Sequence, residues 1–152
     1  MSIEDKLKGM GVELPTPPAP VAAYVPVVQV GNLCFVSGQL PMKEGHLTAA
    51  GSVPNTVSVE AASQGARLCA INILAQLKMF LGSLDRVKRI VRLNGFVQSD
   101  NGFYKQPEVI NGASSFMVDV FGEAGKHSRI AVGVSELPMN ASVMIDAIVE
   151  VE

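Results

Sequence analysis

A chain of 152 residues suits one domain with a sizeable core and is short for two; 48% apolar and only 17% charged residues set it far from the polar composition of disordered segments. Twelve Lys and Arg against fourteen Asp and Glu leave a formal net charge of −2, without the basic footprint of a protein that grips nucleic acid by its phosphates. A duplex binder is thereby excluded as the expected class, and the apolar excess predicts surface buried in an oligomer.

Residues 1–20 read as an N-terminal arm, and 21–152 as the domain proper. Glu4, Asp5, Lys6 and Lys8 mark a polar arm or short helix over 1–9 with no apolar run behind it, so no secretory signal is expected. The charge-free stretch 14–42 has the length of a membrane span, but Pro15, Pro17, Pro18, Pro20, Pro26 and Gly31 interrupt it. It predicts a Pro-rich segment followed by strands in a cytoplasmic protein with no membrane partner. Cys34 and Cys69 lack the paired spacing of a zinc or redox site and read as buried free thiols.

Two β-prone runs, 27–30 and 33–36, flank Gly31-Asn32 and predict a hairpin. Ser37-Gly38-Gln39 follows, Pro41 breaks the strand, and 43–55 reads as a polar loop. Ser58 caps a long helix whose apolar stripe is Ala62, Ala66, Cys69, Ile73, Leu77 and Phe80, ending near Gly82. A long strand is expected over 87–98. Pro107 starts a second helix that buries Ile110, Ala113, Met117, Val120 and Phe121 and stops at Gly122. Within it, Asn111-Gly112 is costly, and signals either a close approach by a backbone or ligand or a local irregularity. Strands over 129–134 and 142–151 complete the chain; in the last, Val143, Ile145, Ala147, Val149 and Val151 alternate with Met144, Asp146, Ile148 and Glu150. The order β-β-α-β-α-β-β, with a hairpin at each end, predicts an α+β fold in which two helices cover one face of a mixed sheet.

No phosphate loop, dinucleotide fingerprint, catalytic serine elbow or metal-binding His pair is present, and no cofactor or metal is expected. His46 and His127 are flanked by polar residues and read as surface histidines. Arg129 opens a strand among apolar residues, where a guanidinium presents a fork to a ligand carboxylate or makes a structural ion pair; spacing alone does not separate the two.

The segment Ser128-Arg129-Ile130-Ala131-Val132-Gly133-Val134, then Glu136-Leu137-Pro138 and Val143 to Ala147, closely resembles the C-terminal signature of the RidA/YjgF family, the reactive intermediate deaminases also called endoribonuclease L-PSP proteins. Tyr24, Gly31-Asn32 and Val36-Ser37-Gly38-Gln39-Leu40-Pro41 resemble its N-terminal hairpin and following loop. The resemblance spans about residues 21–152. It implies a chorismate-mutase-like α+β fold, a homotrimer with clefts between subunits, and cofactor-free hydrolysis of enamines and imines such as 2-aminoacrylate to ketoacid and ammonia. It also implies that Arg129 binds the substrate carboxylate, that Ser37 lies near the reacting end as a catalytic candidate, that Tyr24 is contributed across the interface, and that Asn111 is a weaker match to an asparagine of the second helix.

The same resemblance points to a difference. The family's deaminases carry a glutamate fifteen residues after the arginine, and here that position is Met144, which can neither take nor give a proton usefully. Asp146 lies on the same strand face but matches a second acidic position of the family, so it reads as structural. The family's cysteine two residues after the arginine is Ala131. Added length in 43–55 and 101–111 resembles a chorismate-mutase-like branch, for which Arg89 or Arg92 would be a second carboxylate anchor. Three readings follow: a trimer that binds small carboxylate metabolites and hydrolyses imines, a non-catalytic metabolite-binding or regulatory trimer, and the endoribonuclease of the family's older name, which the net acidity disfavours.

Overall fold

The chain enters its sheet through the hairpin of β1 (Val27–Val30) and β2 (Leu33–Gln39), closed by Gly31 at φ +60°, a conformation that glycine adopts without steric cost. The structure, a computed structural model, describes residues 1–19 and 22–152; the expected boundary between arm and domain, Pro20 and Val21, lies outside the described residues. The remaining elements are α1 (Ile3–Gly9), β3 (Met42–Lys43), β4 (His46–Leu47), α2 (Val59–Leu81), β5 (Val87–Gln98), α3 (Gln106–Phe121), β6 (Ser128–Val134) and β7 (Val143–Val151).

Five strands form one sheet in the order β1-β2-β7-β5-β6, antiparallel except for the parallel pair β5 and β6. The α+β class and mixed sheet are as the sequence predicts, but the C-terminal hairpin is not: β7 inserts between β2 and β5 instead of pairing with β6. Between β6 and β7 the chain turns through Met139 and Asn140, both at positive φ, and this reversal carries β7 past the parallel pair to the centre of the sheet. The expected loop 43–55 also holds structure, because Glu44-Gly45 at positive φ closes the small hairpin β3-β4.

Register assigns each residue a face. Val27, Val36, Ala147, Leu93 and Arg129 form one row across the five strands, and the first four are buried beneath the helices. The row Val28, Phe35, Ile148, Arg92 and Ser128 belongs to the opposite, open face. There Val28, Val30, Phe35, Ile130 and Val132 remain exposed, which gives the sheet an apolar surface with no covering layer in the single chain.

Ser58 caps α2 by accepting from the Ala61 amide at 3.1 Å, and Gly82 at φ +85° ends it. Ser58→Ala is expected to cost about 1 kcal/mol, read as a lower urea midpoint at unchanged slope. The buried stripe of α2 runs through Ile73 and Leu77 to Leu81; Phe80, expected within it, is 46% exposed, since the four-residue step at the end of the helix favours Leu81. Helix α1 docks through buried Leu7, and Glu4 accepts from the Leu84 amide and Lys78 Nζ, both at 3.1 Å.

Gly112 is explained by helix packing. A Cβ there would run into the main-chain carbonyl of Ser63, so this glycine lets α3 lie directly on the backbone of α2. Gly95 does the same for the sheet, since its place under Ile110 leaves no room for a side chain. Both cysteines are free and buried; burial pushes both thiols up, Cys69 far above the ordinary range, which leaves them protonated and inert.

Candidate functional site

Arg129 stands on the edge strand β6, in line with buried core residues but with no strand beyond it, so its side chain reaches across the end of the core row to α3. One guanidinium nitrogen, Nη1, donates to Asn111 Oδ1 at 2.9 Å and to Ser114 Oγ at 3.1 Å. Asn111 and Ser114 are three apart on α3 and therefore share a face. The two contacts use both Nη1 protons, and Nε and Nη2 donate to no protein acceptor among the described residues. No carboxylate lies within ion-pair distance of Arg129 among the described residues either, which removes the structural ion-pair reading. What remains is a fixed guanidinium with its Nε–Nη2 edge open, the geometry that takes a carboxylate through two parallel hydrogen bonds.

Arg129 borders an open cavity of about 430 Å³ that Asn111, Ser114, Asp119, Lys126 and His127 also line. His127 is half-buried and bonded at both ring nitrogens: Nε2 lies 2.9 Å from Ser114 Oγ and Nδ1 2.6 Å from the Gly125 carbonyl. The expectation of a surface histidine is corrected here. Its polar neighbours in sequence conceal that it precedes Arg129 by two residues and so shares its side of the chain. Ser114 is missed for a similar reason, because the helix phase that joins it to Asn111 points to a site only once Arg129 is placed. His46 is exposed on β4, as expected.

The other expected site residues gather elsewhere. Ser37 on β2 donates through its hydroxyl to the Val25 carbonyl at 3.0 Å, and its amide donates to the Pro26 carbonyl at 2.9 Å. Tyr24, just ahead, is 60% exposed and borders a cavity of about 660 Å³ together with Gly38 and Gln39. Met144 packs against Gly38, where an added Cβ would stand 3.0 Å from its sulfur. Tyr24, Ser37 and Met144 thus form a second cluster.

The two clusters do not meet within one chain. β2 and β6 are three strand spacings apart, about 14 Å. Met144 lies in the open-face row with Phe96 and Val132, whereas Arg129 lies in the helix-side row with Leu93 and Ala147. Asp146 shares the open face and accepts from Asn94 Nδ2 at 2.7 Å, while Asn94 Oδ1 accepts from Arg92 Nε at 2.9 Å. Arg92 is therefore turned away from the Arg129 cavity, and Arg89 Nη2 is held on the Lys126 carbonyl at 2.8 Å. Among the described residues no group of His, Cys, Asp and Glu is placed to hold a metal ion, and no helix is long and apolar enough to cross a membrane.

The family described as "YjgF/chorismate mutase-like, putative endoribonuclease" matches residues 4–151. The chain belongs to this family. The crystal structure of protein Atu1372 of unknown function from Agrobacterium tumefaciens superposes with a TM-score of 0.91 at 50% identity, covering 99% of this chain and 92% of that one. Protein TCP17 of Trypanosoma cruzi is 43% identical over 95% of this chain and 91% of its own. The 2-iminobutanoate/2-iminopropanoate deaminase of Dermatophagoides farinae is 29% identical over 93% of this chain and 95% of its own. A named imine deaminase is thus among the relatives aligned along nearly the whole chain.

Proposed function

We propose that the protein is a cytoplasmic homotrimer that binds small carboxylate metabolites in clefts between subunits and hydrolyses enamines and imines to ketoacid and ammonia. The observation that carries this reading is the open Nε–Nη2 edge of Arg129, held by Asn111 and Ser114 and free of any acidic partner among the described residues. The apolar open face supports assembly, and the separation of the two clusters supports a shared cleft. If one subunit supplies Arg129 and Asn111 and its neighbour supplies Tyr24, Ser37 and Met144, groups that a single chain keeps apart surround one ligand. The named deaminase among the relatives supports the imine class.

Met144 favours a second reading, a binding trimer without turnover, since a thioether cannot activate water. The test is ammonia and ketoacid release from freshly generated 2-aminoacrylate, for the native protein and Met144→Glu, with the assembly weighed by sedimentation. The first reading predicts release by the native trimer. A silent native protein in which Met144→Glu gains activity would establish the second, and a monomer would remove the shared cleft.

A further inference from the structure

We propose that His127 is a positioning residue for carboxylate binding: it fixes the Ser114 hydroxyl as an acceptor, and Ser114 in turn locks Arg129 in the orientation that takes a ligand. The inference rests on the carboxylate-binding reading above and adds to it the residue that pre-organises the guanidinium.

A serine in the middle of a helix has a partner close at hand. Its hydroxyl can turn back to the carbonyl four residues earlier, which for Ser114 of α3 is that of Ile110. Here Ser114 Oγ bonds instead to His127 Nε2 at 2.9 Å and to Arg129 Nη1 at 3.1 Å, and to no carbonyl among the described residues. The direction of these bonds is set at the far end. The Gly125 carbonyl, 2.6 Å from Nδ1, can only accept, so the ring carries a proton on Nδ1. In the neutral ring Nε2 then holds a lone pair, the Ser114 hydroxyl donates to it, and the oxygen is left to accept from Arg129.

Packing holds the far end still. Gly125 closes the turn Gly122–Gly125, is itself buried, and has no room for a side chain, since a Cβ there would run into the main-chain carbonyl of Met117 on α3. The carbonyl that orients His127 is therefore seated on the backbone of the helix that carries Ser114, about one turn further along. Helix, turn and β6 form a frame, and His127 is the brace across it.

The brace acts on Arg129 from the Nη1 side and touches no reacting atom. With both Nη1 protons bonded, to Asn111 and to Ser114, the plane of the guanidinium is set and its Nε–Nη2 edge has one direction. Asn111 alone leaves a hinge, because its side chain is exposed and free to turn. A guanidinium released in this way must be ordered again by each ligand, which weakens binding roughly 3- to 10-fold.

The experiment is calorimetric binding of 2-oxobutanoate at about pH 8, where an ordinary imidazole is neutral. It compares native protein, His127→Leu, His127→Gln, Ser114→Ala and the double variant His127→Leu with Ser114→Ala. Gln carries an acceptor oxygen near the Nε2 position, whereas Leu fills the space without one. The expected result is binding roughly 3- to 10-fold weaker in His127→Leu and in Ser114→Ala. His127→Gln is expected within about twofold of native, and the double variant no weaker than either single one, since both remove the same chain of bonds. Nitrogen NMR of the native ring, which needs no variant, is expected to report the Nδ1–H tautomer. Native-like affinity in His127→Leu, equal losses in His127→Leu and His127→Gln, additive losses in the double variant, or an Nε2–H tautomer would each overturn the positioning role and leave Arg129 as the anchor. A native protein that binds neither 2-oxobutanoate nor pyruvate would overturn the carboxylate-binding reading, and the positioning role with it.

Discussion

Arg129→Ala is expected to weaken 2-oxobutanoate binding by on the order of 30- to 1,000-fold, a loss of about 2–4 kcal/mol, with the fold retained. The size follows from the geometry. Asn111 and Ser114 immobilise Nη1, so the guanidinium offers its remaining edge without a large ordering cost, and the substitution removes a charge-assisted fork at once. Arg129→Lys keeps the charge but not the fork and is expected to fall between, about tenfold weaker than native. Stability should change by no more than about 1 kcal/mol, because the exposed Asn111 and half-buried Ser114 side chains can turn to water or, for Ser114, keep His127. Isothermal calorimetry and urea unfolding on the same samples separate the two effects, and unchanged affinity in Arg129→Ala would contradict the role given to this residue.

Gly112→Ala is expected to destabilise the protein by about 2 kcal/mol although Ala is the better helix former. Its Cβ would collide with the Ser63 carbonyl, which belongs to the backbone of α2 and cannot rotate away, so α2 and α3 must separate. Overpacking of this kind costs about 3 kcal/mol at the upper end, against a propensity gain of about 1 kcal/mol. Thermal unfolding should shift down by about 4–8 °C. Asn111 is the neighbouring residue, so the same displacement should loosen its bond to Arg129 and weaken ketoacid binding as well. A variant as stable as native would mean that the helices are not in backbone contact here.

The parts of the fold legible in the sequence are those set by local pattern. The alternation of Val143 through Val151 and the Ser58-to-Gly82 signals place β7 and α2 within a residue or two. The place of β7 in the sheet is not local: it depends on register with β2 and β5, and an alternating strand looks the same at an edge as at the centre. The site divides in the same way. Arg129 and Asn111 are recognisable by motif and do meet, but the parity of Arg129 and Met144 cannot be compared across two strands until register fixes their faces. His127 is hidden because a histidine between Lys126 and Ser128 resembles any loop histidine; its half-buried position comes from α3, which ends on the preceding turn and presents Ser114 to the ring.

The most direct test of the account is a crystal structure of the protein with 2-oxobutanoate. The account predicts a trimer in which the ligand carboxylate lies on the Nε–Nη2 edge of Arg129, with Tyr24 and Met144 of the neighbouring subunit closing the cleft. A ligand seated away from Arg129, or an assembly that leaves the Arg129 cavity open to solvent and far from any second subunit, would contradict it.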